Sequence, residues 1–343
     1  MQKSTINILT SCDARLIHLL PVSIQAIAHN LKEKTVNFFL MHDKIPDGNL
    51  HMLQMQCQHL GNINFHAIQV SDYDNEILKK IAQFGGANWG GPAYYSLLAY
   101  RYLPADIDRV LYLDAADTLV VKDVDEFYYE DFGEAEAIVT VTQYKTTDDG
   151  RAVPFASEDM DNVLGLSEVC RGLFNSGTYM LNLSLQRQEA VSIDAYWNYV
   201  QAFDRLYRNN VIPAYQKFGL TPPADDKTFF GDQGLFSLIF CGKLRYFAFD
   251  RDNKGQNIWY MPYNFCLWYF DSHLQPPPYE PHILHFAGSP KPWSLRYLNI
   301  IPRFQKNTEL LDWTALKPGQ AVYYYIWHEY ALAADKLLTA LGF

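Results

Sequence analysis

The chain has 343 residues, of which 49% are hydrophobic and 19% charged, so it can bury a sizeable core and is not a disordered polypeptide. Its formal net charge of −10 argues against nucleic acid as a partner. Five widely spaced cysteines without a Cys-x-x-Cys pair argue against a zinc site or a disulfide framework and favour the cytoplasm. No apolar run approaches the ~20 residues that cross a bilayer, and the first apolar run is too short for a signal peptide.

The first third of the chain alternates strand-like and helix-like patterns. Strands are predicted over residues 6–10, 36–40, 63–68 and 109–113. Helices are predicted over residues 19–30, 50–60 and 92–102. This order predicts an α/β fold with a parallel sheet of nucleotide-binding type.

The rest of the chain is less regular. Further strands are predicted over residues 178–183, 244–249 and 282–286, and helices over 192–206, 235–240 and 322–343. Residues 146–161 are predicted to form a loop or lid. Residues 213–226 are predicted to be irregular and residues 275–279 to form a loop.

Two carboxylates follow the strand predicted over residues 109–113. Asp114 and Asp117 lie at its carboxyl end, where ligands bind in open α/β sheets. Two acids beside a buried strand are costly unless a cation neutralises them. Carboxylate oxygens suit Mg²⁺ or Mn²⁺, which keep open positions for diphosphate oxygens. The spacing alone favours a plainer interpretation, a solvated loop with an Asx-turn.

A second polar segment follows the strand predicted over residues 282–286. His285 offers an imidazole nitrogen as a third ligand, Gly288 allows the backbone close to a phosphate, and Lys291 adds a positive charge. A single histidine after a strand is more often a structural hydrogen-bond partner. The combination of His, Gly, Lys and Trp within nine residues nevertheless indicates a binding site.

Two shorter segments add candidates. Asn175, in Phe-Asn-Ser-Gly before a predicted strand, suits sugar hydroxyls, although a plain turn is the simpler interpretation. Asp232, in Gly-Asp-Gln-Gly at a predicted helix start, suits a helix cap, and that role is compatible with a functional one.

These four segments together resemble glycosyltransferase family 8, which includes bacterial lipopolysaccharide galactosyl- and glucosyltransferases and the glycogenins. The segment from His285 to Trp293 is similar to the family's HxxGxxKPW pattern, and Tyr112-Leu-Asp, Phe174-Asn-Ser-Gly and Asp232-Gln follow the family order. The resemblance implies a GT-A fold, with a Rossmann-like mixed sheet flanked by helices. It implies a catalytic domain over residues 1–293 and a helical C-terminal extension over 294–343 packed on it.

The resemblance also assigns a role to each candidate residue. Mn²⁺ or Mg²⁺ would be bound by Asp114, Asp117 and His285, and the diphosphate by Gly288 and Lys291. The donor sugar would be bound by Asn175 and Asp232, with Gln233 near the anomeric carbon. The uracil and ribose would be bound by Thr10, Ser11, Cys12 and Asp13, with Arg15 meeting the base or a phosphate. The implied reaction is metal-dependent, retaining transfer of glucose or galactose from a UDP-sugar to a saccharide or glycolipid, as in lipopolysaccharide biosynthesis.

Three positions depart from the family pattern. The Asp-x-Asp motif has an extra residue here, so its turn must bulge if both aspartates reach one ion. Ser96 stands where the family has an arginine, with Arg101 further along the same predicted helix, and Ala14-Arg15 replaces an Asn-Tyr pair. The altered acidic motif motivates an alternative function, a nucleotide-sugar-binding protein with weak catalysis.

No carboxylate nucleophile is evident beside Asp232 and Gln233, which favours a front-face mechanism in which the leaving phosphate accepts the acceptor's proton. A dehydrogenase is disfavoured because no GxGxxG follows the first strand, and a nucleotidyltransferase because no Gly-rich basic loop lies near the N-terminus. The aromatic helix from Val322 lacks a basic face, which favours packing on the main domain or a dimer contact over peripheral contact with the inner face of a membrane.

Overall fold

The computed structural model describes residues 4–85, 90–140, 144–146, 152–154, 174–217, 219, 228–229, 231–240, 243–247, 260–267, 280–288, 290–295, 301–304, 316 and 319–343. Its strands are Thr5–Cys12 (β1), Thr35–His42 (β2), Ile63–Gln69 (β3), Arg109–Leu113 (β4), Thr118–Val120 (β5), Ala137–Val139 (β6), Tyr144–Thr146 (β7), Ala152–Pro154 (β8), Thr178–Asn182 (β9), Leu244–Tyr246 (β10), Tyr260–Met261 (β11), Asn264–Cys266 (β12) and Ile283–His285 (β13). Its α-helices are Leu20–Asn30 (α1), Asp47–Leu60 (α2), Asp72–Ala82 (α3), Ala99–Tyr102 (α4), Asp125–Tyr128 (α5), Leu183–Glu189 (α6), Ile193–Leu206 (α7), Ile212–Lys217 (α8), Gly231–Ile239 (α9) and Ala321–Ala340 (α10).

The main sheet has seven strands in the order β10-β6-β9-β4-β1-β2-β3. Strand β1 pairs in parallel with β2 and with β4, and β2 pairs in parallel with β3, as the alternating pattern predicts. Strand β9 runs antiparallel to both β4 and β6, so the sheet is mixed. A second sheet, in the order β11-β12-β13-β5, lies beyond the carboxyl end of β4, and β7 pairs with β8 as a hairpin.

Helices cover both faces of the main sheet because its central strands are apolar on both sides. Ile8 and Phe38 pack with α1 and α2, whereas their neighbours Leu9 and Phe39 pack with α3, α7 and α9 on the other face. The sandwich of helix, sheet and helix leaves the carboxyl edge of the parallel strands for a ligand.

The long C-terminal helix α10 packs on α1 and on the second sheet. Trp327 of α10 is buried, and its ring lies 6.1 Å from that of Trp293 between centroids. Asn30 at the end of α1 donates to the Tyr330 hydroxyl at 2.6 Å. The tail therefore shares one apolar cluster with the sheet that carries His285. Among the helices that the structure describes, none combines the length and apolar character needed to cross a membrane.

Several predicted elements need correction. Helix α3 was missed because its sequence is polar; the Ser71 hydroxyl caps it by accepting from Asp74 N at 3.1 Å. The predicted loop over residues 146–161 contains strand β8, and the predicted irregular segment over residues 213–226 begins inside helix α8. The other parts of these two segments lie largely outside the described residues, and the predicted loop over residues 275–279 lies entirely outside them. The helix predicted over 92–102 starts as a 3₁₀ helix, Gly91–Leu98, and becomes α-helical only at α4.

An asparagine ladder joins the first three strands at their amino ends. Asn64 Nδ2 donates to Asn37 Oδ1 at 3.0 Å, and Asn37 Nδ2 donates to Asn7 Oδ1 at 2.9 Å. Asn7 Nδ2 in turn donates to the Arg109 carbonyl on β4 at 3.3 Å. The three asparagines are direct partners in the pairing of β1, β2 and β3.

Candidate functional site

A cavity of about 490 Å³ opens at the carboxyl ends of β1 and β4. Nearly all the predicted site residues line it: Ser11, Cys12, Asp13, Arg15, Asp114, Asp117, Asn175, Asp232, Gln233, His285, Gly288 and Lys291. Thr10 is the exception, because its side chain is buried and does not reach the cavity wall. The structure thus brings together residues that are up to 280 positions apart, 291 − 11, in the chain.

The extra residue of the acidic motif is accommodated by a left-handed turn between the two sheets. Ala116 has a φ of +64°, a conformation that side chains other than glycine rarely adopt. The Asp114 carbonyl accepts from the Thr118 N–H at 3.3 Å and from its hydroxyl at 2.8 Å, which closes the turn. The turn bulges as the sequence requires, and both aspartates face the cavity.

Asp114, Asp117 and His285 form a compact group, called here the metal corner. One ligand atom from each residue lies within 4.8 Å of the other two. β13, which ends at His285, pairs antiparallel with β5, and His285 stands opposite Thr118. The pairing of two three-residue strands therefore brings the imidazole to the aspartates.

Gly177 makes room for the histidine ring. A Cβ atom at this position would lie 2.2 Å from His285 Cε1, far inside van der Waals contact. The Gly177 carbonyl also accepts from Asp114 N–H at 2.9 Å. One glycine thus holds the acidic turn through its backbone and admits the imidazole through its missing side chain.

Burial shifts the pKa values of three titratable groups that line the cavity, Asp114, Asp232 and His285. Burial, with smaller contributions from Asp117 and Asp232, raises the pKa of Asp114 well above its ordinary value. Burial raises the pKa of Asp232 from 3.8 to about 6. Burial, and then the neighbouring Lys291, lowers the pKa of His285 to about 3, so the imidazole is neutral.

Lys291 supplies a positive charge at the same place. Its ammonium donates to Asp117 Oδ2 at 2.5 Å and to the Phe286 carbonyl at 2.8 Å. The Lys291 side chain is 27% exposed, so it lies at the mouth of the cavity rather than in the core. A divalent cation and an anionic group next to it would both meet complementary charge here.

The donor set fits a divalent metal ion. Two carboxylates and one neutral imidazole are ligands that Mn²⁺ accepts. The second ring nitrogen of His285 is already bonded, with Nδ1 2.9 Å from Asn264 Oδ1. Metal-binding histidines usually have such an anchor on the nitrogen that does not face the ion.

The β1 edge, formed by Ser11, Cys12, Asp13 and Arg15, is built differently. The backbone N–H and Nε of Arg15 each donate to an Asp13 carboxylate oxygen at 2.8 Å. The Arg15 side chain is 69% exposed. The Ser11 hydroxyl donates to the Pro92 carbonyl at 2.8 Å, and burial raises the pKa of the Cys12 thiol far above its ordinary value. Asp13 and Arg15 of this edge are therefore paired with each other, and Ser11 is bonded to a backbone carbonyl outside it.

Ser96 is buried, and its hydroxyl lies 2.7 Å from the Tyr179 hydroxyl. Arg101 pairs with the buried Asp74 at 3.1 Å and does not line the cavity, so it does not replace the family arginine.

Sequence reasoning missed two residues that hold the site. Asn264 contacts both His285 and Asn175, and Ser176 donates a hydrogen bond to Asp232. The signal for Asn264 was weak: one amide in an otherwise apolar strand.

The fold and the cavity define a glycosyltransferase of the GT-A type. The model of glycosyl transferase family 8 matches residues 7–296, and the chain belongs to that family. No curated protein sequence matches the chain.

Solved structures agree in fold at low identity. The galactosyltransferase LgtC, crystallised with donor and acceptor sugar analogues, is 16% identical, with 96% of each chain covered and a TM-score of 0.56. The bifunctional glycosyltransferase WbbM is 16% identical over 94% of this chain and 51% of its own, with a TM-score of 0.54. GlyE of Streptococcus pneumoniae is 14% identical over 98% of this chain and 62% of its own, with a TM-score of 0.53.

Proposed function

We propose that this glycosyltransferase is a metal-dependent, retaining hexosyltransferase that takes glucose or galactose from a UDP-sugar. The observation that carries the proposal is the metal corner itself, three ligands within 4.8 Å of one another beside the predicted sugar-binding residues. Family membership supplies the reaction class, and the geometry of the corner supports the metal.

Asp114, Asp117 and His285 would hold Mn²⁺ or Mg²⁺, which would neutralise charge on the leaving diphosphate. Lys291 adds a second positive charge, and Gly288, with a φ of +77°, allows the backbone to approach a phosphate. Both effects favour departure of the nucleotide diphosphate because they act where negative charge develops.

The sugar would lie against Asn175, Asp232 and Gln233. Asp232 and Gln233 open helix α9 at the cavity wall, and both side chains are almost fully buried. Gln233 is an amide and a poor nucleophile, so we propose front-face substitution, in which the leaving phosphate accepts the proton of the incoming hydroxyl. Asp232 would position the donor sugar.

We propose a saccharide or glycolipid acceptor, as in lipopolysaccharide assembly, and a cytoplasmic site of action. Family membership supports a glycosyl acceptor of some kind, and the widely spaced cysteines without a Cys-x-x-Cys pair favour a reducing compartment. Residues 1–293 would form the catalytic unit, with residues 294–343 as an extension held by the contact between Trp293 and Trp327.

A donor screen tests the proposal. UDP-glucose and UDP-galactose are incubated with the full chain in Mn²⁺, in Mg²⁺ or in EDTA, and released UDP is measured. We expect one donor to be turned over with metal and neither in EDTA. Binding of UDP that depends on Mn²⁺, without turnover of any donor, would favour the nucleotide-sugar-binding alternative, which the extra residue of the acidic motif motivates.

A further inference from the structure

The imidazole of His285 is anchored by Asn264, a buried residue outside the cavity lining. Asn264 is fully buried, and its Oδ1 lies 2.9 Å from His285 Nδ1. Strand β12 carries Asn264 and runs parallel to β13, so main-chain pairing delivers the amide beside the ring. The other end of the same amide reaches Asn175, 89 positions earlier in the chain, at 3.1 Å.

One backbone N–H fixes the direction of every bond in this group. Gly177 N–H donates to the Asn175 side chain at 3.0 Å, so the accepting atom is the Asn175 oxygen. Asn264 must then present its NH₂ group to that oxygen and its own oxygen to His285. Because an amide oxygen only accepts, the proton of the imidazole lies on Nδ1 and the lone pair lies on Nε2.

The neighbouring thiol agrees with this direction. Cys266 Sγ lies 3.3 Å from Asn264 Oδ1. The same thiol lies 3.6 Å from His285 Nδ1, which cannot accept a hydrogen bond while it carries its proton, so the thiol donates to the amide oxygen. Two donors, Cys266 and His285, therefore converge on one amide oxygen.

We propose that Asn264 is a positioning residue that presents His285 Nε2 to the divalent cation and, through the same amide, turns the NH₂ group of Asn175 toward the donor sugar. The inference rests on the proposed function. It adds a physical connection between the metal ligand and the sugar-binding amide, made by a side chain that does not itself line the cavity.

Two substitutions separate the two bonds. Asn264→Asp keeps an acceptor for the Nδ1 proton of His285 but has no hydrogen to donate to Asn175. Asn264→Ala removes both bonds. Asn62→Ala is a matched control, because the Asn62 amide also donates to two acceptors, the Ala28 and Leu31 carbonyls, away from the cavity.

Mn²⁺ affinity is measured by calorimetry on the full chain in the presence of UDP. We expect Asn264→Ala to weaken Mn²⁺ binding by about 10- to 100-fold and Asn62→Ala to leave it unchanged. Asn264→Asp should keep the wild-type affinity while raising the KM for the donor by about tenfold. Unchanged Mn²⁺ affinity in both Asn264 variants, or equal loss in both, overturns the inference.

Nitrogen NMR of the metal-free protein gives a second readout that does not require metal binding. His285, assigned with His285→Ala, should show a protonated Nδ1 and an unprotonated Nε2 in the wild type and in Asn264→Asp. The opposite tautomer in the wild type overturns the inference. If the wild type binds no Mn²⁺, the proposed metal site fails, and the tautomer measurement still decides the role of Asn264. If Asn264→Ala does not fold, Asn264→Asp and the tautomer decide it.

Discussion

The metal corner and the β1 edge line the same cavity but are built on opposite principles. At the metal corner two half-buried carboxylates lie side by side, Ala116 takes a left-handed conformation, and Gly177 leaves room for the His285 ring. At the β1 edge, Asp13 and Arg15 satisfy each other near the surface. Two like charges held close together in a partly desolvated site are costly, whereas an ion pair near the surface is close to neutral. The corner is therefore preorganised at a cost in stability, and the edge is assembled at little cost.

The largest expected difference is between two aspartates, one from each region: Asp117 of the metal corner and Asp13 of the β1 edge. Asp117→Asn removes a ligand from the metal corner, and we expect donor turnover to fall by at least about 100-fold, because a metal ion contributes several kcal/mol to catalysis. Asp13→Asn removes an exposed ion pair, and we expect less than about tenfold. Steady-state rates of UDP release with Mn²⁺ measure both. Equal losses would contradict the division into two regions.

Two glycines give the next test. In Gly177→Ala the new methyl group meets the His285 ring at 2.2 Å, so we expect a loss of about 3 kcal/mol in the free energy of unfolding, together with weaker Mn²⁺ binding. Gly90→Ala is the matched variant at the β1 edge. Its new methyl group would lie 3.5 Å from Pro92 and 3.6 Å from Arg15, which is ordinary van der Waals contact. Denaturant unfolding compares them. A Gly177→Ala protein as stable as Gly90→Ala would show that the corner is loosely packed.

Burial of the Asp232 carboxyl should make the free energy of unfolding depend on pH. The pKa of Asp232 is raised from 3.8 to about 6 in the folded state, so the unfolded chain releases this proton first and stability falls as pH rises from about 4 to 6. Asp232→Asn removes the effect. In EDTA, we expect the variant to be more stable than the wild type by about 3 kcal/mol at pH 7 and by less than about 1 kcal/mol at pH 4.

Unfolding of both proteins at the two pH values checks this expectation. A gain of the same size at pH 4 and pH 7 would show that it arises from packing and not from charge.

The smallest expected effect concerns the turn. Ala116→Gly relieves a left-handed alanine but loses a buried methyl group, so we expect a gain in the free energy of unfolding of less than about 1 kcal/mol. The control is Ala115→Gly, equally buried but without positive φ, which should lose about 1 kcal/mol. Thermal unfolding orders the two variants. The reverse order would mean that the turn stores no strain.

The sequence predicts the parallel half of the fold because hydrophobic periodicity is strong over β1 to β4. It does not predict the second sheet, because the strands of that sheet have only two or three residues and one of its pairings joins His285 to Thr118, far apart in the chain. The motifs name residues that the fold brings to one cavity, and the extra alanine of the acidic motif stands where the chain makes its left-handed turn. Asn264 could not be found, because its partners are defined only by tertiary pairing and one amide in a strand carries no pattern.

The asparagine ladder at the amino ends of the strands bears on the cavity at their carboxyl ends. Strand β1 is eight residues long, so a shift of one residue at Asn7 would also displace Ser11 to Asp13 by one residue. Such a slip would turn every side chain of β1 to the other face of the sheet and break the two side-chain hydrogen bonds of Asn7. The alignment of the β1 edge is thus set about five residues upstream, by amides that never meet a ligand.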